Sequence, residues 1–128
     1  MCLTKSRKYV KPRNFIEGYK VLVKKGERWK SYHAQQLWGF TELVRARLPR
    51  YIGFSGERSY KYRRGIHAYN TLTNAQEVFG RRDSPLLFVK VLLFGVTHYD
   101  RKCYRADSAI IIETLNGKTG ERIPWPGE

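Results

Sequence analysis

The stretch "PLLFVKVLLFGV" at residues 85–96 decides the fold class of this 128-residue chain. β-Branched and aromatic residues crowd this short apolar run, which is typical of a strand that is buried on both faces. A membrane-spanning helix needs about 20 apolar residues, whereas this run is shorter and is interrupted by Lys90. The run therefore predicts a buried strand and is too short to span a membrane.

Further strand patterns lie on both sides of this run. "GYKVLVKK" and "RWKSYH" alternate, and the glycine of "KKGER" between them predicts a hairpin. "IHAY" predicts a short strand and "AIIIETL" a final one that is followed by the turn "NGKTG". "THYDRKCYRADS" predicts a polar connection with an edge strand. The five segments occupy residues 18–25, 28–33, 66–69, 109–115 and 97–108.

Two helices are expected. "TLTNAQEVFG" predicts a helix that Thr71 or Thr73 caps and that Gly80 ends, with Ala75 and Val78 facing the core. "AQQLWGFTELVRARLP" has apolar residues near helical spacing and a proline at its end, so it predicts a helix over about residues 34–47.

These elements predict a small α+β domain, in which a mainly antiparallel sheet packs against one or two helices. The domain would span residues 15–128, and residues 1–14 would form an extended basic arm. The sequence carries no signal for an oligomeric state.

The charge distribution indicates a polyanionic partner. The net charge is +14, and residues 1–64 hold 17 basic and 4 acidic side chains, against 8 and 7 in residues 65–128. Such an excess costs stability by self-repulsion, so nucleic acid or an acidic protein surface is the expected partner. A basic surface that serves only solubility is the alternative.

Basic and aromatic residues alternate in two runs, "RWKSY" and "YKYRR". Lys and Arg neutralise phosphates and aromatic rings stack on unpaired bases, so these runs are candidate nucleic-acid contacts. The alternative is that one face of each run packs into the core. With nearby arginines and one histidine, the predicted binding residues are Arg28, Trp29, Lys30, Tyr32, Arg45, Arg47, Arg50, Lys61, Tyr62, Arg63, Arg64 and His67.

His67 stands between a basic run and the expected helix N-terminus, where anions bind readily. The alternative for His67 is a strand histidine that is hydrogen-bonded to backbone. The motifs HxH, HExxH, CxxC and GxGxxG, the P-loop and nucleophile motifs are absent from the sequence. We therefore expect no metal, no cofactor and no catalytic residue.

Cysteine content and the N-terminal residues indicate a compartment. Cys2 and Cys103 are too few for a disulfide framework, which favours a reducing setting. The charged N-terminal stretch has no apolar run of the kind that a signal peptide contains. We expect a protein that is not secreted.

Several short motifs together carry a resemblance. They are "GYKVLVKK", "GIHAYNTLTNAQEV", "LLFVKVLLFGVTHY", "YRADSAIII" and the opening "MCL". On these motifs the chain resembles a widespread family of small phage and viral proteins, with Ile66 where an aromatic residue is usual. The resemblance covers about two-thirds of the chain and leaves out residues 34–60. It implies viral origin and an accessory or virion role, in the host cytoplasm or the virion.

"GIHAYNTLTNAQ", followed by the strand "LLFVKVLLFG", is also faintly similar to the scaffold of ADP-ribosyltransferases. That similarity would point to Tyr19, His67 and Glu113 as the residues of an active site. The leading expectation is a non-catalytic viral accessory protein that binds a polyanion, which includes antagonists of host defence. A virion or assembly component that docks on an acidic partner or the packaged genome is the alternative, and an enzyme is the second one.

Overall fold

The computed structural model describes residues 7–8, 15–31, 36–46, 65–79, 86–96 and 98–126. These residues form eleven strands and one helix, α1 at Leu72–Phe79. The strands are β1 Arg7–Lys8, β2 Ile16–Lys25, β3 Arg28–Ser31, β4 Leu37–Trp38, β5 Leu43–Arg45, β6 Ile66–Tyr69, β7 Leu86–Phe94, β8 His98–Tyr99, β9 Cys103–Ala106, β10 Ser108–Leu115 and β11 Arg122–Ile123.

One sheet, whose strand pairs are antiparallel, contains all of these strands. Its hydrogen-bonded order is β1-β8-β9-β6-β2-β7-β10-β11, while β3 and β4 extend from β2 and β5 pairs with β10. β7 lies between β2 and β10, and Val89, Val91 and Leu93 in it are fully buried. The predicted buried strand and the predicted mainly antiparallel sheet are confirmed.

The sheet curls around its main core because two stretches of chain link its distant parts. β4 pairs with β3 and β5 pairs with β10, and between them Phe40 forms a parallel bridge with Ile111. Asp107 alone separates β9 from β10, so one bent run of chain pairs first with β6 and then with β7.

The main core lies inside this curl. Strand alternation sends residues 87, 89, 91 and 93 of β7 to this face. Each fully buried aliphatic side chain there contributes about 1.5–3 kcal/mol relative to an exposed one. Trp38 is 2% exposed and satisfies its one donor, because its Nε1 donates to Ser31 Oγ at 2.7 Å. The core members are Leu22, Trp29, Trp38, Val44, Ile66, Ala68, Leu87, Val89, Val91, Leu93, Ala106, Ala109 and Ile111.

The helix covers part of the opposite face. Ala75 and Phe79 are buried there against Val21 and Phe88. Thr71 is confirmed as the cap, since its Oγ1 accepts a hydrogen bond from the backbone N–H of Asn74 at 3.2 Å. Successive helix residues turn by about 100°, so one face holds positions four apart. Residues 75 and 79 meet this condition.

The sequence-based placement of Val78 in the core is wrong, because Val78 is 44% exposed and Phe79 takes the buried position. The expected end of the helix at Gly80 lies outside the described residues.

The helix predicted over residues 34–47 is also wrong wherever that segment is described. Residues 36–46 contain strands β4 and β5, whose backbone groups pair with β3 and β10. Unpaired sheet edges attract a strand, and this long-range pairing overrides the local helical spacing. Strand geometry also buries Trp38 and Val44 in the main core.

Two smaller predictions are refined by the sheet. The connection "THYDRKCYRADS" forms two strands, and β9 is internal because it lies between β6 and β8. Within the predicted basic arm, Arg7–Lys8 pair with His98–Tyr99 of β8. The other residues of the arm lie outside the described part of the chain.

Candidate polyanion interface

The β2–β3 hairpin carries the densest group of cations that the structure describes on one element. Lys24, Lys25 and Arg28 are exposed, and Lys30 is half-buried. Lys25 stands directly opposite Arg28 across the hairpin. Two positive charges at such a position destabilise a strand pair, and Glu27 in the turn is the one acid between residues 18 and 31.

The turn between β10 and β11 adds two cations at the same end of the sheet. Antiparallel pairing places the end of β2, the start of β7 and the end of β10 together, because Val23 pairs with Leu86 and Phe88 pairs with Leu115. Exposed Lys118 lies in this turn, and exposed Arg122 begins β11. Asn116 Oδ1 fixes the turn by accepting hydrogen bonds from the backbone N–H groups of residues 118 and 119 at 2.8 and 3.1 Å.

We call this region the basic end of the sheet and define it by Lys24, Lys25, Arg28, Lys118 and Arg122. Two exposed acids, Glu27 and Glu121, accompany the five cations. The hairpin cations on β2 and β3 are three to four strand steps from Arg122 on β11, which is about 14–19 Å across the sheet. The charge density suits a polyanion that crosses the strand ends.

A cleft lies beside the basic end and shares Arg122 with it. Its volume is about 370 Å³. Phe40 and Trp125 stack in its wall with ring centroids 5.7 Å apart and an interplanar angle of 23°. The full lining is Phe40, Thr114, Arg122, Ile123, Pro124 and Trp125.

The burial of Trp29 corrects one predicted contact. Its side chain is 8% exposed and belongs to the main core, so its ring faces are not available to a base. Alternation along β3 explains this, because Trp29 faces inward while Arg28 and Lys30 point to the other face. The alternative that one face of each run packs inside therefore holds for the first run.

The remaining predicted residues are scattered or undescribed. Arg45 is exposed on β5 opposite Ser108, at the start of β10 and therefore far from the basic end. The other predicted residues lie outside the described residues: Tyr32, Arg47, Arg50, Lys61, Tyr62, Arg63 and Arg64. The structure thus brings together Arg28 and Lys30 of the predicted set.

His67 lies half-buried on β6 opposite Arg105. Arg105 is 6% exposed, and its Nη1 contacts Asp107 Oδ1 at 2.8 Å. The backbone carbonyl of His67 accepts a hydrogen bond from Lys20 Nζ at 2.7 Å, and that ammonium also lies 5.8 Å from the Trp38 ring centre. Lys20 and Arg105 therefore make internal contacts, and we leave both out of the interface.

The residues to which the ADP-ribosyltransferase similarity points lie on one face of the sheet but on separate strands. Tyr19 is on β2, His67 on β6 and Glu113 on β10. Lys90 stands between Tyr19 and Glu113 in the cross-strand row. Three strand steps separate β6 from β10, which is about 14 Å along the sheet.

Lys90 also forms the ion pair of this face, because its Nζ lies 3.1 Å from Glu17 Oε2. The hydrogen bond to Glu17 raises the pKa of Lys90 above its ordinary value.

Sequence reasoning passed over Lys24, Lys25, Lys118, Arg122 and Trp125. Lys24 and Lys25 end the predicted strand at residues 18–25, next to the glycine turn, and the end of a hairpin presents its cations to solvent. "RIPW" holds one basic and one aromatic residue without alternation, so the compositional rule that selected the two runs does not select Arg122 and Trp125.

The described residues contain no group of three or more His, Cys, Asp and Glu side chains that could hold a metal ion. Cys103 in β9 is a buried thiol. No helix in the described part of the chain is long and apolar enough to cross a membrane. Comparison with protein-family models, with curated proteins and with solved structures finds no match.

Proposed function

We propose that the protein is a non-catalytic viral accessory protein that binds polyanions, nucleic acid foremost, at the basic end of the sheet. The observation that carries this proposal is the exposed hairpin, on which Lys25 and Arg28 are cross-strand partners beside Lys24. Lys118 and Arg122 extend the same surface from β11 and its turn. The viral origin rests on the resemblance described above.

Electrostatics explain why a polyanion suits this surface. Several like charges gathered on one surface repel one another in the free protein. Phosphates placed between them remove that repulsion and release condensed counterions, so binding weakens steeply as salt rises. Arg28 and Arg122 can also grip phosphate with two parallel hydrogen bonds.

The test is fluorescence anisotropy with labelled single-stranded RNA, single-stranded DNA and duplex DNA over a salt series. Each phosphate contact contributes about 0.7 to the slope of log affinity against log salt for a single strand. The pair Lys24→Gln/Arg28→Gln should therefore lower the slope by about 1.4. When the salt concentration rises fourfold, the affinity of this variant should therefore fall by a factor about seven times smaller than the affinity of the unchanged protein does.

The matched control is Arg101→Gln/Lys102→Gln, which removes one Arg and one Lys from the exposed β8–β9 turn. This variant has the same net charge as the hairpin variant, so a general charge effect would change both equally. We expect the hairpin pair alone to lower the slope. Equal slopes for the two variants would contradict an interface at the basic end.

An assembly component of the virion is the second candidate, with nucleic acid or an acidic protein as its partner. The strand Arg7–Lys8 favours it, because this part of the basic N-terminal stretch is already paired at the edge of the sheet. Such a stretch can tie the domain to an acidic neighbour or to the packaged genome. Mass spectrometry of purified particles would find many copies of a virion component and none of an early accessory protein.

A further inference from the structure

We infer that the cleft lined by the stacked pair Phe40 and Trp125 binds a nucleobase, with the attached phosphate directed toward Arg122. This inference rests on the proposed function and adds a recognition element to it. The basic end alone reads only phosphate charge. A base in the cleft would make the protein prefer single-stranded nucleic acid or a free nucleotide over a polyanion without bases.

The size and walls of the cleft suit a flat aromatic ring. About 370 Å³ falls in the range of small-molecule sites, about 300–1,000 Å³. Phe40, Ile123 and Trp125 are each half-buried, so their apolar surfaces are partly open to a ligand. Bases stack on such aromatic surfaces, and one stacked base changes affinity by about 5- to 150-fold.

Thr114 supplies the second observation. It lines the cleft and is 1% exposed, and its hydroxyl has no hydrogen-bond partner within the described residues. Its cross-strand neighbours, Val89 and Ile123, are apolar. Buried hydroxyls are normally paired, and this one can both donate and accept. The polar edge of a base at the floor of the cleft would give the hydroxyl its partner.

Charge identifies the substituent on the ring. Arg122 is exposed and lines the cleft, and Lys118 lies in the adjoining turn. The cleft and the basic end therefore meet at Arg122, so a base in the cleft and phosphates on the basic end belong to one ligand. A nucleotide combines an aromatic ring, a polar edge and a negative charge, which complement the aromatic walls, the Thr114 hydroxyl and Arg122.

The experiment compares a labelled single-stranded 8-mer with an 8-mer whose central residues are abasic, by anisotropy at low salt. We expect the unchanged protein to bind the base-containing 8-mer at least about fivefold more tightly. Trp125→Leu should bring the two affinities together, whereas Phe15→Leu, an exposed aromatic residue that does not line the cleft, should leave the preference intact. Equal binding of the two 8-mers by the unchanged protein would overturn the inference.

Thr114→Val guards against a folding artefact. It removes the buried hydroxyl at nearly constant shape, so the urea midpoint should not fall. It should weaken the base-containing 8-mer by about 2- to 13-fold and leave the abasic 8-mer unchanged. If the affinity for both 8-mers is unchanged, Thr114 does not contact the ligand and the inference of a bound nucleobase is wrong.

Two further probes separate the sources of the base and the two proposals. If AMP quenches tryptophan fluorescence but binding of the 8-mer does not depend on its bases, the cleft binds a free nucleotide. That result would count against nucleic acid as the partner. If the abasic 8-mer and inorganic polyphosphate bind as tightly as the normal 8-mer, the protein binds polyanions as proposed but the cleft does not bind a nucleobase. Phenylalanine amide that binds as tightly as AMP would overturn the assignment to a nucleobase.

Discussion

Replacing Gly65 by alanine should destabilise the protein by about 3 kcal/mol. Gly65 has a φ of +116°, which side-chain-bearing residues rarely adopt and which costs about 1–3 kcal/mol. A Cβ at this position would lie 2.4 Å from Arg105 Nε and 3.0 Å from the carbonyl oxygen of Ala106. Arg105 must therefore move away from its contact with Asp107.

The rest of the expected loss of about 3 kcal/mol comes from disrupting the ion pair between Arg105 and Asp107. A hydrogen bond to a charged group is worth about 1.5–3 kcal/mol, and solvent around Asp107, whose side chain is 62% exposed, places this one at or below the lower limit. Urea unfolding followed by tryptophan fluorescence should show the midpoint falling by about 1.5 M for a slope of about 2 kcal/mol/M.

Gly26→Ala is the matched control. Gly26 also has a positive φ, +62°, but a Cβ there meets no atom within 4 Å. It should cost about 1–2 kcal/mol, the backbone term alone. In an Arg105→Ala background, Gly65→Ala should cost about 1.5 kcal/mol less than in the unchanged protein, because the clashing side chain and its ion pair are gone while the strained φ and the contact with the Ala106 carbonyl remain. Equal costs of Gly65→Ala with and without Arg105 would refute the reasoning.

Three further changes test the core, the ion pair and the helix cap. Leu22→Ala should cost about 2–5 kcal/mol in urea unfolding, because Leu22 is fully buried in the main core. Because the pKa of Lys90 is raised in the folded protein, its ion pair with Glu17 contributes its full stability below the unfolded pKa of about 10.4. This contribution is lost as the pH rises through the folded pKa, so Lys90→Gln should make the thermal midpoint fall less steeply at alkaline pH. Thr71→Ala should lower stability by about 0.5–2 kcal/mol through loss of the cap, whereas Val78→Ala, at an exposed helix position, should change it by less.

The amino-acid sequence alone specified those elements that depend on short-range patterns or on a continuous apolar run. The apolar run of β7, the alternation and glycine turn of the first hairpin and the Thr71 cap were all predicted and are present. Each depends on propensity, periodicity or a single capping contact, and these properties are encoded within about ten residues. The overall basic character likewise follows from composition.

Tertiary structure alone decided the positions that depend on distant partners. Residues 36–46 pair with β3 and β10 instead of forming a helix, and Trp29 enters the core instead of facing a ligand. Lys118 and Arg122 lie at the same end of the sheet as the hairpin cations only because β7 aligns the end of β2 with the end of β10. The cleft joins Phe40 to Trp125 across 85 positions of the chain. No window of sequence contains such a pairing, because strand register and sheet curvature are set by contacts throughout the domain.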